Sequence, residues 1–177
     1  LLILSDARTK LADRAAWLAD EVQKATAEIL ARERDTVMRL SRAAEFRDPE
    51  TGAHISRMAH YSRLIAKGLG LTEAEQDLLL EAAPMHDIGK VGIADNILLK
   101  PGRLSETEFA IMQQHAVYGY ELLQGSASRV LQAGADIALG HHEKFDGSGY
   151  PRGLKGEAIP LFGRIVAVAD VFDALTS

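Results

Sequence analysis

Residues Gly140 to Pro151 read GHHEKFDGSGYP: two adjacent histidines, two carboxylates and a glycine-rich turn closed by Tyr150-Pro151. Imidazole and carboxylate ligands together suit Fe, Mn, Zn or Ni better than Ca. Neighbours on a helix point about 100° apart, so His141 and His142 are expected to serve neighbouring ions, and the site to be multinuclear. Gly147 and Gly149 tolerate positive φ and let a ligand approach the backbone. Other metal-type residues lie far off in sequence: Glu50 and His54, the His86-Asp87 pair, His115 and Asp170. Taken alone, His115 reads more readily as a core histidine. Burying the whole set without an ion would leave costly unpaired polar groups, whereas a metal cluster satisfies them together.

The elements that gather these residues are helices. No glycine or proline interrupts Lys10 to Phe46, which predicts one long helix. Leu18, Val22, Ala25 and Ile29 follow a coiled-coil seam, which shifts at Arg32-Glu33 and recovers through Val37, Leu40 and Ala44. Two readings fit: a helix packed on its own domain, or a dimerising signal helix below an upstream sensor or receiver domain. Asp48-Pro49 reads as an N-cap with Pro at the first helical position, opening a helix that Gly68 and Gly70 end. Glu50 and His54 then share a face, with His60 off it. Thr72-Glu75 and Ser105-Glu108 read as capping boxes. Leu78, Leu79, Ala82 and Met85 form a core face, and Pro84 is expected to bend that helix just before His86-Asp87. Lys90, three residues after Asp87, can sit beside its carboxylate and face a phosphate.

One helix is expected to carry Phe109, Met112, His115, Leu122 and Leu123, and another to run from Ser126 or Ser128 to Gly140. The last, Leu161 to Leu175, puts Asp170 and Asp173 on differing faces. Only Arg164 to Val168 is ambiguous with a strand, so the expected class is all-α.

The 177 residues, 47% hydrophobic, suffice for one domain with a sizeable core and a short appendage. A net charge of −5 gives no basic field for a nucleic acid polymer. With no cysteine, disulfides, thiolate zinc sites and Cys nucleophiles are excluded. No apolar run approaches the ~18 residues of a membrane span, and no signal peptide is visible, so the default location is cytoplasmic. The first residue is Leu and not Met, as in a piece of a longer chain.

The segments RDPETGAHISR, APMHDIGKVGI, KPGRLSETE, the histidine of MQQHAVYG, GHHEKFDGSGYPRGLKGEAI and RIVAVADVFDALTS resemble the HD-GYP family of metal-dependent phosphohydrolases. His86-Asp87 and Gly149-Tyr150-Pro151 match the pairs that name it. The resemblance implies an HD-type helical bundle over residues 47–177, with 1–46 as a linker or signalling helix, and hydrolysis of cyclic di-GMP to linear pGpG or GMP. It makes His54, His86, Asp87 and Asp170 ligands of one ion and His115, His141 and His142 ligands of the others. Asp87 is the expected bridge, because a carboxylate has two oxygens and a neutral imidazole one free lone pair. Glu50 matches a glutamate that accompanies a third metal in some members. Two or three ions are implied, Fe or Mn first, with Zn, Ni or Co as substitutes. Lys90 matches a phosphate-contacting lysine, and Gly149, Tyr150, Pro151 and Arg152 lie in the loop expected at the ligand. Two ions about 3.5–4 Å apart can hold a hydroxide and clamp a phosphodiester.

Two departures accompany the match. Ala94 stands where a proline is common, and Ser177 precedes an Arg-Pro-Tyr stretch with which the family usually continues, so the C-terminal part of the domain is expected to be missing. The alternative functions are a catalytically weak module that binds cyclic dinucleotide or partner signalling proteins through the Gly149-Tyr150-Pro151 loop, and hydrolysis of another nucleotide. A homodimer through the leading helix is what the second of its two readings implies.

Overall fold

No helix breaker stands before Lys10 either, and the leading helix begins earlier than expected: α1 spans Leu2–Glu45. The computed structural model describes residues 2–46 and 53–177, with no strand among them. The chain divides into two compact units, Leu1–Thr36 and Val37–Ser177. In the first, Leu11, Trp17, Leu18, Val22 and Ile29 are exposed. In the second, Val37, Ser41, Ala44 and Glu45 are buried at helical spacing, so the last turns of α1 pack on their own domain. Leu40, expected on that face, is 58% exposed, which corrects the register of the seam beyond Arg32-Glu33.

The second helix, α2, is described over Ala53–Gly68. Asp48-Pro49 and Glu50 lie outside the described residues. Ile55, Met58, Ala59, Ser62 and Ala66 bury one stripe of it. Its end is a Schellman turn: Leu71 donates to the Ala66 carbonyl and Gly70, at φ 78°, to that of Lys67. Helix α3, Glu73–Ala82, opens on the expected capping box between Thr72 and Glu75. It stops before Pro84, whose missing N–H cannot continue an α-helix, and the chain tightens into a 3-10 turn over Ala83–Met85. A second 3-10 turn, Ile88–Gly92, follows His86-Asp87.

The short α4, Asp95–Leu98, precedes α5, Glu106–Met112, which opens on the expected box between Ser105 and Glu108. The single helix expected across His115 is two. Ala116 donates to the Gln113 carbonyl, a 3-10 step that separates α5 from α6, Gln114–Leu123. Helix α7, Arg129–Gly140, is capped by Ser128, whose hydroxyl accepts from Leu131 N–H. Helix α8, Leu161–Thr176, absorbs the run that was ambiguous with a strand. Helices α2, α3, α7 and α8 enclose Met58, Leu79, Ala82, Met85, Ile137 and Val166. Burying each of the larger side chains in this set contributes about 1.5–3 kcal/mol.

Candidate metal centre

The two 3-10 turns carry His86 and Asp87 into the interior, 0% and 8% exposed. Gly89 then lets the backbone lie against α6, since a Cβ there would collide with the His115 carbonyl and the Gly119 nitrogen. That approach brings His115 to Asp87. Helices α7 and α8 meet at Gly140 and Gly163, where a Cβ on Gly163 would stand 3.2 Å from the Gly140 backbone. His54 comes from α2 and Asp170 from α8.

Asp87 lies between two sets of histidines. Its Oδ1 is 3.3 Å from His115 Nε2 and 3.4 Å from His141 Nε2. Its Oδ2 is 3.3 Å from His86 Nε2 and 2.7 Å from Lys90 Nζ. On the second side, Asp170 Oδ1 lies 3.2 Å from His54 Nε2 and 4.0 Å from His86 Nε2. Asp87, His115, His141 and His142 each offer a ligand atom within 4.8 Å of the others, and Glu45, His54 and His86 form a second such group. His141 and His142 thus converge instead of diverging. The helix ends at Gly140, so His141 is its C-cap and His142 lies in the following turn, free of the 100° helical offset.

Four of the rings have their tautomer set from behind. Nδ1 of His86 pairs with the Ala83 carbonyl, that of His115 with Met112 at 2.6 Å, and that of His141 with Ala138 at 3.0 Å. His54 Nδ1 pairs with Asp173 Oδ2 at 2.6 Å. A carbonyl accepts only from N–H, so the Nε2 lone pairs face the centre, as metal ligation requires. Nε2 of His86, His115 and His141 and Oδ1 of Asp87 are buried without a hydrogen bond among the described residues. Unsatisfied groups of this kind cost about 1–3 kcal/mol each, and a divalent cation satisfies them together. The residues therefore fit transition-metal ions held by nitrogen and oxygen.

Burial pushes the His86 imidazole down, but Asp87 outweighs it and leaves the ring above its ordinary value. Burial pushes the Asp87 carboxyl up, but His86 and Lys90 outweigh it and hold the group well below the usual carboxylate range. Asp170, also pushed up by burial, is brought below its ordinary value by His54 and His86. His142 is pushed down to about 2, first by burial and then by His141, which leaves a neutral imidazole. Burial raises the Tyr150 phenol above its usual value, with Asp87 adding to the effect.

The loop after His142 folds back over the centre. Tyr150 stacks on His142 at 4.7 Å and meets Phe109 edge-on at 6.0 Å. A Cβ on Gly149 would run into the His142 carbonyl and the Lys144 nitrogen, so that glycine serves close backbone packing. Pro151 is partly buried behind a cis peptide, and the Arg152 side chain is exposed. His60 is exposed on α2, away from the centre.

Three carboxylates escaped the sequence reading. Glu143, 5% exposed, accepts the N–H groups of Arg152 at 2.8 Å and Leu154 at 2.9 Å and so clamps the loop. Its place in the GHHE run was the available signal. Asp173 takes a bidentate pair from Arg57 at 2.7 and 2.8 Å while orienting His54. It was expected on a different face from Asp170, yet both reach His54, because residues three apart on a helix are neighbours. Glu45 had no signal beyond a charged residue ending an amphipathic stretch.

The sequence signature of the HD domain matches residues 24–177. The chain belongs to the HD-domain family. With Gly149-Tyr150-Pro151 in place, it falls in the HD-GYP branch. It is 52% identical over 177 residues to the cyclic di-GMP phosphodiesterase response regulator RpfG of Xanthomonas campestris pv. campestris, covering 100% of this chain and 47% of the relative. It is 54% identical over 138 residues to a cyclic di-GMP phosphodiesterase of Thermotoga maritima, covering 78% of this chain and 38% of that one. Identity is 52% over 142 residues with the 3'3'-cGAMP-specific phosphodiesterase 2 of Vibrio cholerae, covering 80% and 27%. The fold is similar to a crystal structure of a cyclic GMP-AMP specific phosphodiesterase from V. cholerae, with a TM-score of 0.60 at 24% identity over 81% of this chain and 40% of that one. The chain spans less than half the length of each of these relatives. Among the described residues, no helix is long and apolar enough to cross a membrane.

Proposed function

We propose that this HD-GYP domain is a metal-dependent phosphodiesterase that hydrolyses cyclic di-GMP to linear pGpG or GMP. The observation that carries the reading is the Asp87 carboxylate, whose two oxygens face two separate histidine sets with Lys90 beside one of them. His54, His86, Asp87 and Asp170 would hold one ion, and His115, His141 and His142, with Asp87, another. Glu50 is the candidate for a third. Iron or manganese suits the cysteine-free donor set best, with Zn, Ni or Co able to substitute. When bound, the ions supply a Lewis acid for the phosphodiester and acidify water at neutral pH.

The protein's own groups do the rest. Lys90 Nζ, 2.7 Å from Asp87, is placed to neutralise charge developing on a phosphate oxygen. Tyr150, kept protonated by burial, offers a hydroxyl donor at the edge of the centre, and Gly149, Pro151 and Arg152 complete a loop that a dinucleotide backbone can lie against. Water adds across one P–O bond, and the released sugar oxygen takes a proton. Residues 47–177 would carry this chemistry, and residues 1–46 would join a second copy and an upstream sensor or receiver domain in the cytoplasm.

Support for the substrate comes from relatives named as cyclic di-GMP phosphodiesterases at 52% and 54% identity. A second reading, 3'3'-cGAMP, is favoured by the relative of 52% identity named for that dinucleotide. Chromatography of parallel digests, with anaerobically purified protein reconstituted with Fe or Mn, separates them. Turnover of cyclic di-GMP to pGpG or GMP is expected, and metal-replete protein that turns over neither dinucleotide refutes the proposal.

A further inference from the structure

We infer that Asp173 is a positioning residue for the metal centre: anchored by Arg57, it holds the Nδ1 side of His54 and makes that ring a stronger metal donor than the three carbonyl-backed rings. The inference rests on the metal-centre reading above and adds a difference between its two sides. Nδ1 of His86, His115 and His141 meets a neutral carbonyl, that of Ala83, Met112 and Ala138 respectively. Nδ1 of His54 meets a carboxylate oxygen at 2.6 Å, on a side chain that is itself 1% exposed. A hydrogen bond to an ionised acceptor is about twice as strong as one between neutral groups. It draws on the Nδ1 proton and leaves more electron density at Nε2, which raises the basicity of the ligand.

The contact of α2 with α8 carries an independent observation. Arg57 follows His54 by three residues and Asp173 follows Asp170 by three, so each pair shares a helix face. The two faces meet: Asp170 Oδ1 lies 3.2 Å from His54 Nε2, Asp173 Oδ2 lies 2.6 Å from its Nδ1, and Arg57 Nε lies 2.7 Å from Asp173 Oδ1. Arg57 Nη2 reaches the other Asp173 oxygen at 2.8 Å, closing a two-pronged pair that fixes the plane of the carboxylate. An ion pair that served only to join the helices would need Arg57 and Asp173 alone. Here Oδ2 is shared with His54, so the ring is held between two carboxylates of one helix, one behind it and one on the metal side. Arg57 also supplies the opposite charge that a carboxylate removed from water requires, so Asp173 keeps its place before any ion binds.

The test is Mn2+ titration of the whole chain by calorimetry for the parent, Asp173→Asn and Arg57→Gln. Both variants break the ion pair, but only Asp173→Asn puts a neutral group behind His54. Asp173→Asn is expected to weaken one Mn2+ site about 10–100-fold, and Arg57→Gln by less than about threefold. Mn2+ affinity equal to the parent's in Asp173→Asn, or equal losses in the two variants, overturns the inference and leaves an interhelical ion pair only. A parent that takes up no Mn2+ overturns the metal-centre reading with it. Should Asp173→Asn fail to fold, proton NMR of the Zn2+-loaded parent labelled with 15N-histidine decides. A His54 Nδ1–H resonance downfield of those of His86, His115 and His141 supports the inference, and one that lies among them overturns it.

Discussion

Replacing Glu143 by Gln keeps the shape of the side chain and removes one of its two acceptors. In the parent, Oε1 accepts Arg152 N–H and Oε2 accepts Leu154 N–H, at 2.8 and 2.9 Å. A glutamine can satisfy only one of these donors and turns its own NH2 toward the other. A hydrogen bond to a charged acceptor contributes about 1.5–3 kcal/mol, so the loop should open about 10–100 times more often. Backbone hydrogen exchange at Arg152 and Leu154, followed by NMR, reads this directly. Glu143→Ala, which loses both acceptors, should exchange faster still. The loop lies outside the hydrophobic core, so amides of α2 and α8 should keep the parent's protection, and turnover should fall as Tyr150 and Arg152 lose their fixed positions. Unchanged protection at Arg152 and Leu154 in both variants refutes the clamp, and an equal rise throughout the core shows a global effect instead.

Asp87→Ala should abolish hydrolysis and lower metal content by more than the loss of a terminal ligand would, because both oxygens face histidine sets, and normal metal loading with retained activity contradicts this. Lys90→Ala should keep the metals and slow turnover, so a fall in its metal content would reveal a different role. The exposed Leu18 and Val22 of α1 are expected to form a seam with a second copy, and the double change to Glu should convert a dimer to a monomer in sedimentation, which equal masses would disprove. The Glu108 carboxyl is held down at about 2, chiefly by Lys100 with Ser105 adding to it. A folded value below the ordinary 4.5 means that its contribution is full above that pH and is lost as pH falls toward about 2. Exchange protection at the start of α5 should fall through this window in the parent and change less in Glu108→Gln, and identical curves would exclude the linkage.

Local hydrogen bonds span three or four residues, and what depends on them was legible in the sequence. The boxes at Thr72 and Ser105, the cap at Ser128, the glycine end of α2 and the core face from Leu79 to Met85 follow from propensity and periodicity. The ligand types and the Asp87–Lys90 pairing were legible for the same reason. Only tertiary packing decided which distant donors meet. His54 and Asp173 are 119 residues apart, and no spacing rule relates them until α2 lies against α8. The convergence of His141 and His142 depended on where α7 stops, a boundary that a helical wheel does not contain. The two faces of Asp87 required Gly89 to bring α6 within backbone contact, and Glu45 came within 4.8 Å of His54 and His86 because the end of α1 packs on its own domain. Sequence sets the local turns and the supply of ligands, and the three-dimensional packing of helices alone aims them at a common point, because convergence of side chains from separate elements is a property of distance in space and not along the chain.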